Sequence, residues 1–446
     1  MANYALINCN LIDGVQAGIQ SAMTLLVRDG KICEIGKSAH IKDTSGYKTI
    51  DLSGKYVMPG LINAHMHLPL SGKGTKASSG GKSQDRLLKI LNTRIGRSVL
   101  LGMMKTNAAA QLNSGVTTCR SMGDLFYMDI KLRNMVKGGE APGPRLLVSG
   151  PIITPTGGHG RTFGVVADSP WGVRKAVRRN LQEQVDVIKI ASTGGVTDAL
   201  QLGEAGRPTM SLEEVEAACV EAHMAGLMVA SHAESTEGVR IALKAGVDTI
   251  EHGASLDDEM IELFLHNPKS LRGYSSLVPT LYPAITIGNL DPSITYMTDI
   301  HIQNSVMVYE EMISGMKSAL KAGVKVGLGT DASTPFVTQY NTWRELEFVT
   351  KYAGISAQRA IESATRINAE ILGIDDITGT LETGKASDLI VVQKNPLEDI
   401  RSLSKVSMVI CGELFIDKPK FKTIPEVDKA IDSISCHPPE KAAVRV

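Results

Sequence analysis

His65 and His67 stand one residue apart in Pro59-Gly60-Leu61-Ile62-Asn63-Ala64-His65-Met66-His67. On a strand, alternation turns both imidazoles to one face, where neutral nitrogens can hold a metal ion. A histidine pair on a solvated strand end is the plainer reading of the same residues. Four more side chains bear on the choice: Lys189, His232, His252 and Asp331, each at the end of a short apolar, β-branched run. Only ten histidines occur in the chain, and four of them fall at such ends. Taken singly, His232 and His252 read as core histidines bonded to backbone, and Asp331, within Gly327-Leu328-Gly329-Thr330-Asp331, as a helix cap. Lys189 is the informative one. A bare ammonium in an apolar strand is poorly solvated and repels a cation, so lysine suits a metal site only if its amine has become an anion.

The elements that must position these residues follow from pattern. Ser169-Pro170 opens a helix with Val173, Ala176, Val177 and Leu181 on its apolar stripe, and Val187-Ile188-Lys189-Ile190 follows as a strand. Ser211 and Glu214 form a capping box ahead of the next helix, with Leu227-Met228-Val229-Ala230 beyond it. Thr236 to Ala245, closed by Gly246, leads into Val247-Asp248-Thr249-Ile250. Such βα units imply parallel strands with helical crossovers. Eight strand candidates end near His67, Ser121, Gly150, Ala191, His232, His252, Thr280 and Asp331. Eight strands over about 300 residues predict an α/β fold of (β/α)8 TIM-barrel type, whose carboxyl strand ends gather distant residues at one mouth.

Both ends of the chain read differently. Tyr4-Ala5-Leu6-Ile7, Met23 to Val27 and Ile32 to Gly36 are short strands, and Asp29-Gly30 is a hairpin turn. Asp388 to Val392 and Val406 to Ile410, with Gly412 opening a turn, echo them. We therefore expect a small β-sandwich domain from residues 1–57 and 376–446 around a barrel spanning 58–375. The Gly/Ser/Lys-rich stretch Ser71 to Ser83 and a long loop after the seventh strand, with Tyr282 and Tyr296, are the expected specificity segments.

Lys and Arg equal Asp and Glu in number, so no basic face for nucleic acid is forced. Arg174, Lys175, Arg178 and Arg179 fall on the polar side of a helix. The amino terminus shows no basic stretch leading into an apolar core, no run is long enough to span a bilayer, and the six cysteines form no CxxC. The expectation is a cytoplasmic enzyme with free thiols and a small-molecule substrate, a homo-oligomer with neither nucleic acid nor membrane as partner. His40, His223, His266, His301 and His437 show no partner pattern.

Taken together, these segments resemble the amidohydrolase superfamily. The resemblance runs from Gly54-Lys55-Tyr56-Val57-Met58-Pro59-Gly60 through the His65/His67 pair, Lys189, Ser231-His232-Ala233-Glu234, Ile250-Glu251-His252-Gly253-Ala254 and Gly329-Thr330-Asp331. It ends in Gly379-Thr380-Leu381-Glu382-Thr383-Gly384-Lys385-Ala386-Ser387-Asp388-Leu389, and so covers nearly the whole chain. The chain is most similar to the imidazolonepropionase-like branch that includes prolidases, Arg/Lys carboxypeptidases and ochratoxin-type amidases.

The resemblance implies a site with two divalent ions, zinc by preference. His65, His67 and Asp331 would hold one ion, His232 and His252 the other, and Lys189, carboxylated by CO2, would bridge them. A bridging hydroxide would attack an amide or peptide-type C–N bond, Asp331 would pass the proton to the leaving nitrogen, and His159, in Pro155-Thr156-Gly157-Gly158-His159-Gly160-Arg161, would contact the substrate carbonyl or carboxylate. The alternative is a deaminase or cyclic-amide hydrolase. Such deaminases usually use one metal and lack the bridging lysine, so Lys189 weighs against it, and an inactive scaffold would be expected to have lost ligands. Two positions depart from the pattern. Glu234 stands where peptidase members commonly carry tyrosine, and an anion there favours an amino or other cationic group on the substrate. The second strand end, Arg120-Ser121-Met122-Gly123-Asp124, replaces an Arg-Asp pair.

Overall fold

The computed structural model describes residues 3–41, 43–74 and 82–436. Most of the Ser71–Ser83 stretch, and His437, lie outside them. The chain ends build a mixed eight-stranded sheet. Strands Leu414–Asp417, Val406–Cys411, Leu389–Val392, Tyr56–Pro59, Tyr4–Leu11, Gln20–Arg28 and Lys31–Lys37 are neighbours in that order, and Lys48–Asp51 pairs with Tyr4–Leu11. Arg28 pairs with Lys31 across the predicted hairpin, and Asp29 and Gly30 have φ of 50° and 69°. A two-residue turn with both central residues left-handed matches the twist of its strands. Leu6, Leu25, Val391 and Ile410 are among the side chains that form this sheet's own apolar cluster, each contributing about 1.5–3 kcal/mol on burial.

The middle of the chain is parallel. Leu61–Met66, Val116–Ser121 and Arg145–Val148 form one sheet; Ile188–Ala191, Val229–Ala233, Thr249–His252 and Ser276–Val278 run side by side in another, with the short Ile153–Thr154 and Val165–Val166 at its edge. Helices follow these strands as the sequence predicts. Ser169 caps Pro170–Gln182, Ser211 and Glu214 close a capping box on Leu212–Met224, and Gly246, at φ 99°, ends Thr236–Ala245.

The eighth candidate strand is not regular. Residues 325–331 nevertheless make strand-like hydrogen bonds on both sides: Leu277 N–H donates to Lys325 O at 3.0 Å and Gly327 N–H to Leu277 O at 2.9 Å, while Ala64 N–H reaches Leu328 O at 3.1 Å and Thr330 N–H reaches His65 O at 2.9 Å. Close approach explains the irregularity. A Cβ on Gly329 would sit 2.4 Å from His65 Cβ, and one on Gly327 would sit 2.1 Å from Asn368 Oδ1. Asn63 and Thr330 clasp each other, Asn63 Nδ2 donating to Thr330 Oγ1 at 2.8 Å and Thr330 N–H to Asn63 Oδ1 at 3.1 Å.

Two expectations need correcting. The segment after the seventh strand is helical over Leu281–Asn289 and Pro292–Thr295 rather than a long loop, and Tyr282 is fully buried there. The carboxy-terminal helix Pro425–Cys436 does not join the terminal sheet. Val427, Ile431 and Ile434 enter the large central core, and Asp428 accepts from Asn341 Nδ2 at 2.7 Å. No described helix is long and apolar enough to cross a membrane.

Candidate active site

The six residues singled out by type and spacing converge at the carboxyl ends of the parallel strands. His65 is the next-to-last residue of Leu61–Met66 and His67 directly follows that strand. Asp331 Oδ1 lies 3.0 Å from His67 Nε2 and 3.6 Å from His65 Nε2. His232 and His252, on paired neighbouring strands, form a second group whose ring centroids are 4.5 Å apart. The two groups meet where His65 and His252 approach to 5.0 Å. Both His252 and Asp331 hold left-handed backbone, at φ 69° and 54°. For residues with a side chain this conformation costs about 1–3 kcal/mol, and it clusters at functional sites.

Each imidazole is oriented by a neighbour, as metal-binding histidines are. His65 Nδ1 faces Glu251 Oε2 at 2.8 Å and His252 Nδ1 faces Thr280 Oγ1 at 2.7 Å, which leaves both Nε2 atoms free of these bonds. His232 is turned the other way. Its Nε2 meets Gly194 O at 2.8 Å, so Nδ1 is the available nitrogen. Burial holds His232 and His252 well below the usual imidazole pKa and His65 at about 4, so all three stay neutral and able to coordinate. His67 behaves differently. Burial would lower it too, but Asp124 and Asp331 outweigh burial and raise it to about 9. Burial likewise opposes ionisation of Asp331, but His67, His65 and His252 hold its carboxyl far below the usual range.

Lys189 is 2 % exposed, and its Nζ has no hydrogen-bond partner among the described residues. Its charge is felt by His65 in one group and by His232 and His252 in the other. Burial lowers its pKa to about 8, against the opposing pull of Glu251 and Asp331. A buried, unpartnered amine beside two nitrogen-and-oxygen clusters is the environment expected of a residue completed by something else.

His159 lies between Ile153–Thr154 and Val165–Val166 and stacks on His232, with centroids 4.2 Å apart and planes 17° from parallel. Glu234 sits closer to the histidines than expected: one of its oxygens, with a nitrogen from each of His232 and His252, falls in a cluster whose atoms lie within 4.8 Å of one another. Its Oε2 has no hydrogen-bond partner among the described residues, although its side chain is only 9 % exposed.

The sequence reading missed the supports. Glu251 receives Arg120 Nη2 on Oε1 at 2.7 Å while holding His65 with Oε2. Burial works against this carboxylate, yet Arg120 and His65 keep its pKa at about 2. Asp124 faces His67 Nδ1 at 3.7 Å, and Asp198 holds His159. A signal did exist for the first of these. Arginine and glutamate in apolar strands are almost never buried unpaired.

Comparison with known proteins places the chain. Residues 56–414 match the amidohydrolase family. The structure is similar to that of a candidate prolidase from Bifidobacterium longum, with a TM-score of 0.85 and 40% identity over 97% of this chain and 98% of that one. It is also similar to a Xaa-Pro dipeptidase solved with methionine in its active site, with a TM-score of 0.80 and 29% identity over 93% and 100% of the two chains. Ochratoxinase of Aspergillus niger is 25% identical over 437 residues, covering 88% of this chain and 81% of the relative. The chain belongs to the amidohydrolase family, in its prolidase- and imidazolonepropionase-like branch, and is a hydrolase of C–N bonds.

Proposed function

We propose that the protein hydrolyses an amide or dipeptide-like C–N bond of a small molecule at a centre of two divalent metal ions, zinc by the donor set. The observation that carries this reading is the buried Lys189 Nζ, without a partner among the described residues, whose charge acts on both histidine groups. His65, His67 and Asp331 would hold one ion and His232 and His252 the other, a mixture of imidazole and carboxylate typical of zinc. When bound, such ions supply Lewis acidity that polarises a carbonyl and acidifies water.

The chain's own residues supply the rest. A pKa near 8 leaves Lys189 a share of free amine at neutral pH. That nitrogen can form a bond to the carbon of CO2 and release a proton, which turns a cation into the anion the site lacks. Asp331 is ionised from the outset, so it can take a proton from attacking water and return it to the leaving nitrogen. His159, stacked on His232, would orient the substrate carbonyl. We read the parallel strands as a closed (β/α)8 barrel, supported by the bonds of residues 325–331 to both neighbours. The chain ends form a separate sheet domain, and the last helix is counted with the barrel. A cytoplasmic homo-oligomer remains part of the proposal.

Elemental analysis of the purified protein tests the reading, with about two divalent ions expected per chain. Lys189→Ala should lose activity and regain part of it with short carboxylic acids. A single ion per chain, together with a fully active Lys189→Ala, would sink the two-metal assignment.

A further inference from the structure

Thr280 is the N-cap of helix Leu281–Asn289. A threonine there ordinarily turns its hydroxyl onto the N–H groups of the first turn. Thr280 makes no such bond. Its Oγ1 lies 2.7 Å from His252 Nδ1 instead, and the side chain is fully buried. Pro283 has no N–H, so Leu281 and Tyr282 carry the donors that this diversion leaves open. Glu345, on helix Thr342–Phe348, takes both. Leu281 N–H donates to its Oε1 at 2.9 Å and Tyr282 N–H to its Oε2 at 2.8 Å. Glu345 is itself fully buried, and no lysine or arginine pairs with it among the described residues. Burial raises its pKa to about 8, against the pull of the two N–H groups.

We propose that Glu345 is a positioning residue for His252, acting through Thr280. The inference rests on the assignment of His252 as a metal ligand above. A carboxyl brought from another helix caps the first turn, which releases the Thr280 hydroxyl to hold the imidazole and leaves His252 Nε2 free. For a helix start alone this is a costly choice. A buried carboxyl without a cation is poorly solvated, and the threonine already in place could have capped the turn itself. Two acceptor oxygens on one side chain also fix two successive peptide groups, and with them the backbone of the residue just before.

Two measurements on the full chain test the inference. In the metal-free protein, the His252 Nδ1 proton held on Thr280 should give a downfield proton NMR resonance that Thr280→Val abolishes and Thr280→Ser keeps. Glu345→Gln sets an amide N–H against a backbone N–H and should shift or broaden that resonance. In calorimetric titrations with cobalt(II), Glu345→Gln should weaken one of two ions about tenfold and leave the other unchanged. Thr280→Val should weaken the same ion, and adding Glu345→Gln to it should weaken that ion no further. Glu345→Asp, a methylene short of both N–H groups, should act like Glu345→Gln and replaces it if that variant folds poorly. A resonance and affinities unaltered by the Glu345 substitutions, or losses that simply add in the double variant, overturn the proposal. The expected NMR response in a protein that binds a single ion would uphold the positioning role and refute the two-metal reading. Two ions whose affinities ignore both Glu345 and Thr280 would do the reverse.

Discussion

Asp198 Oδ2 lies 2.7 Å from His159 Nδ1, and the same oxygen accepts the Gly160 N–H at 3.1 Å. One carboxylate therefore fixes both the ring and the loop that carries it. Burial pushes Asp198 up, but the bond to His159 brings it to about 2, so it is ionised throughout the working range. The proton between them resides on Nδ1, and Nε2 is the atom free of this bond. Gly195 makes room for the pair: a Cβ there would sit 2.2 Å from His159 Nδ1.

Asp198→Asn removes the charge while keeping the shape, and lets His159 adopt the other tautomer. We expect kcat/KM to fall about 10–100-fold, the usual effect of losing such an orienting group. Metal content, measured alongside by elemental analysis, should not change. Loss of metal would show that His159 acts through His232 rather than on the substrate.

Arg120→Met should destabilise the metal-free protein by about 3–5 kcal/mol, because Glu251 is then a buried charge without its partner. Arg120 also donates from Nε to Ala64 O at 2.7 Å and from Nη1 to Thr249 Oγ1 at 3.1 Å, so one side chain ties three strands together. Urea unfolding measures the loss. A change below about 1 kcal/mol would mean that Glu251 is neutral in the folded state.

His67 predicts an unusual pH dependence for the metal-free protein. Its folded pKa, near 9, lies above the unfolded value of 6.5. Between those values the folded chain holds a proton that the unfolded chain has released. The stabilisation is complete below pH 6.5 and is lost as pH rises toward 9. An ion at His65, His67 and Asp331 displaces that proton, so the loaded protein should lack this decline. Thermal unfolding from pH 6 to 9.5, with and without metal, distinguishes the two; parallel curves would refute the assignment.

The clustering of His65, His67 and Asp331, and of His232 and His252, was legible because strand ends announce themselves locally. A β-branched run, a turn and a following helix fix where the strand stops, and the histidines stand at the stops. The supports were not legible to the same degree. Glu251 meets Arg120 across 131 positions and His65 across 186, and no local pattern specifies a pairing that only the folded sheet creates. Asp198 was hidden for another reason: it lies on a single turn, Val196–Asp198, too short for periodicity to register. Where the eighth strand was expected, residues 325–331 bond to both neighbours without forming a regular strand. Gly327 and Gly329 stand where Asn368 and His65 come too close for a Cβ.

The clasp between Asn63 and Thr330 joins residues 267 positions apart. On a ribosome adding about 5–20 residues per second, His65 and His67 are exposed for on the order of tens of seconds before Asp331 exists. During that interval two imidazoles on an unfinished chain form at most a weak chelate. A strong site appears only when the first strand of the central region meets the last. Stable metal uptake at His65, His67 and Asp331, if they hold the ion proposed above, would thereby report that synthesis has run past the clasp and that the two ends of the central region have found each other.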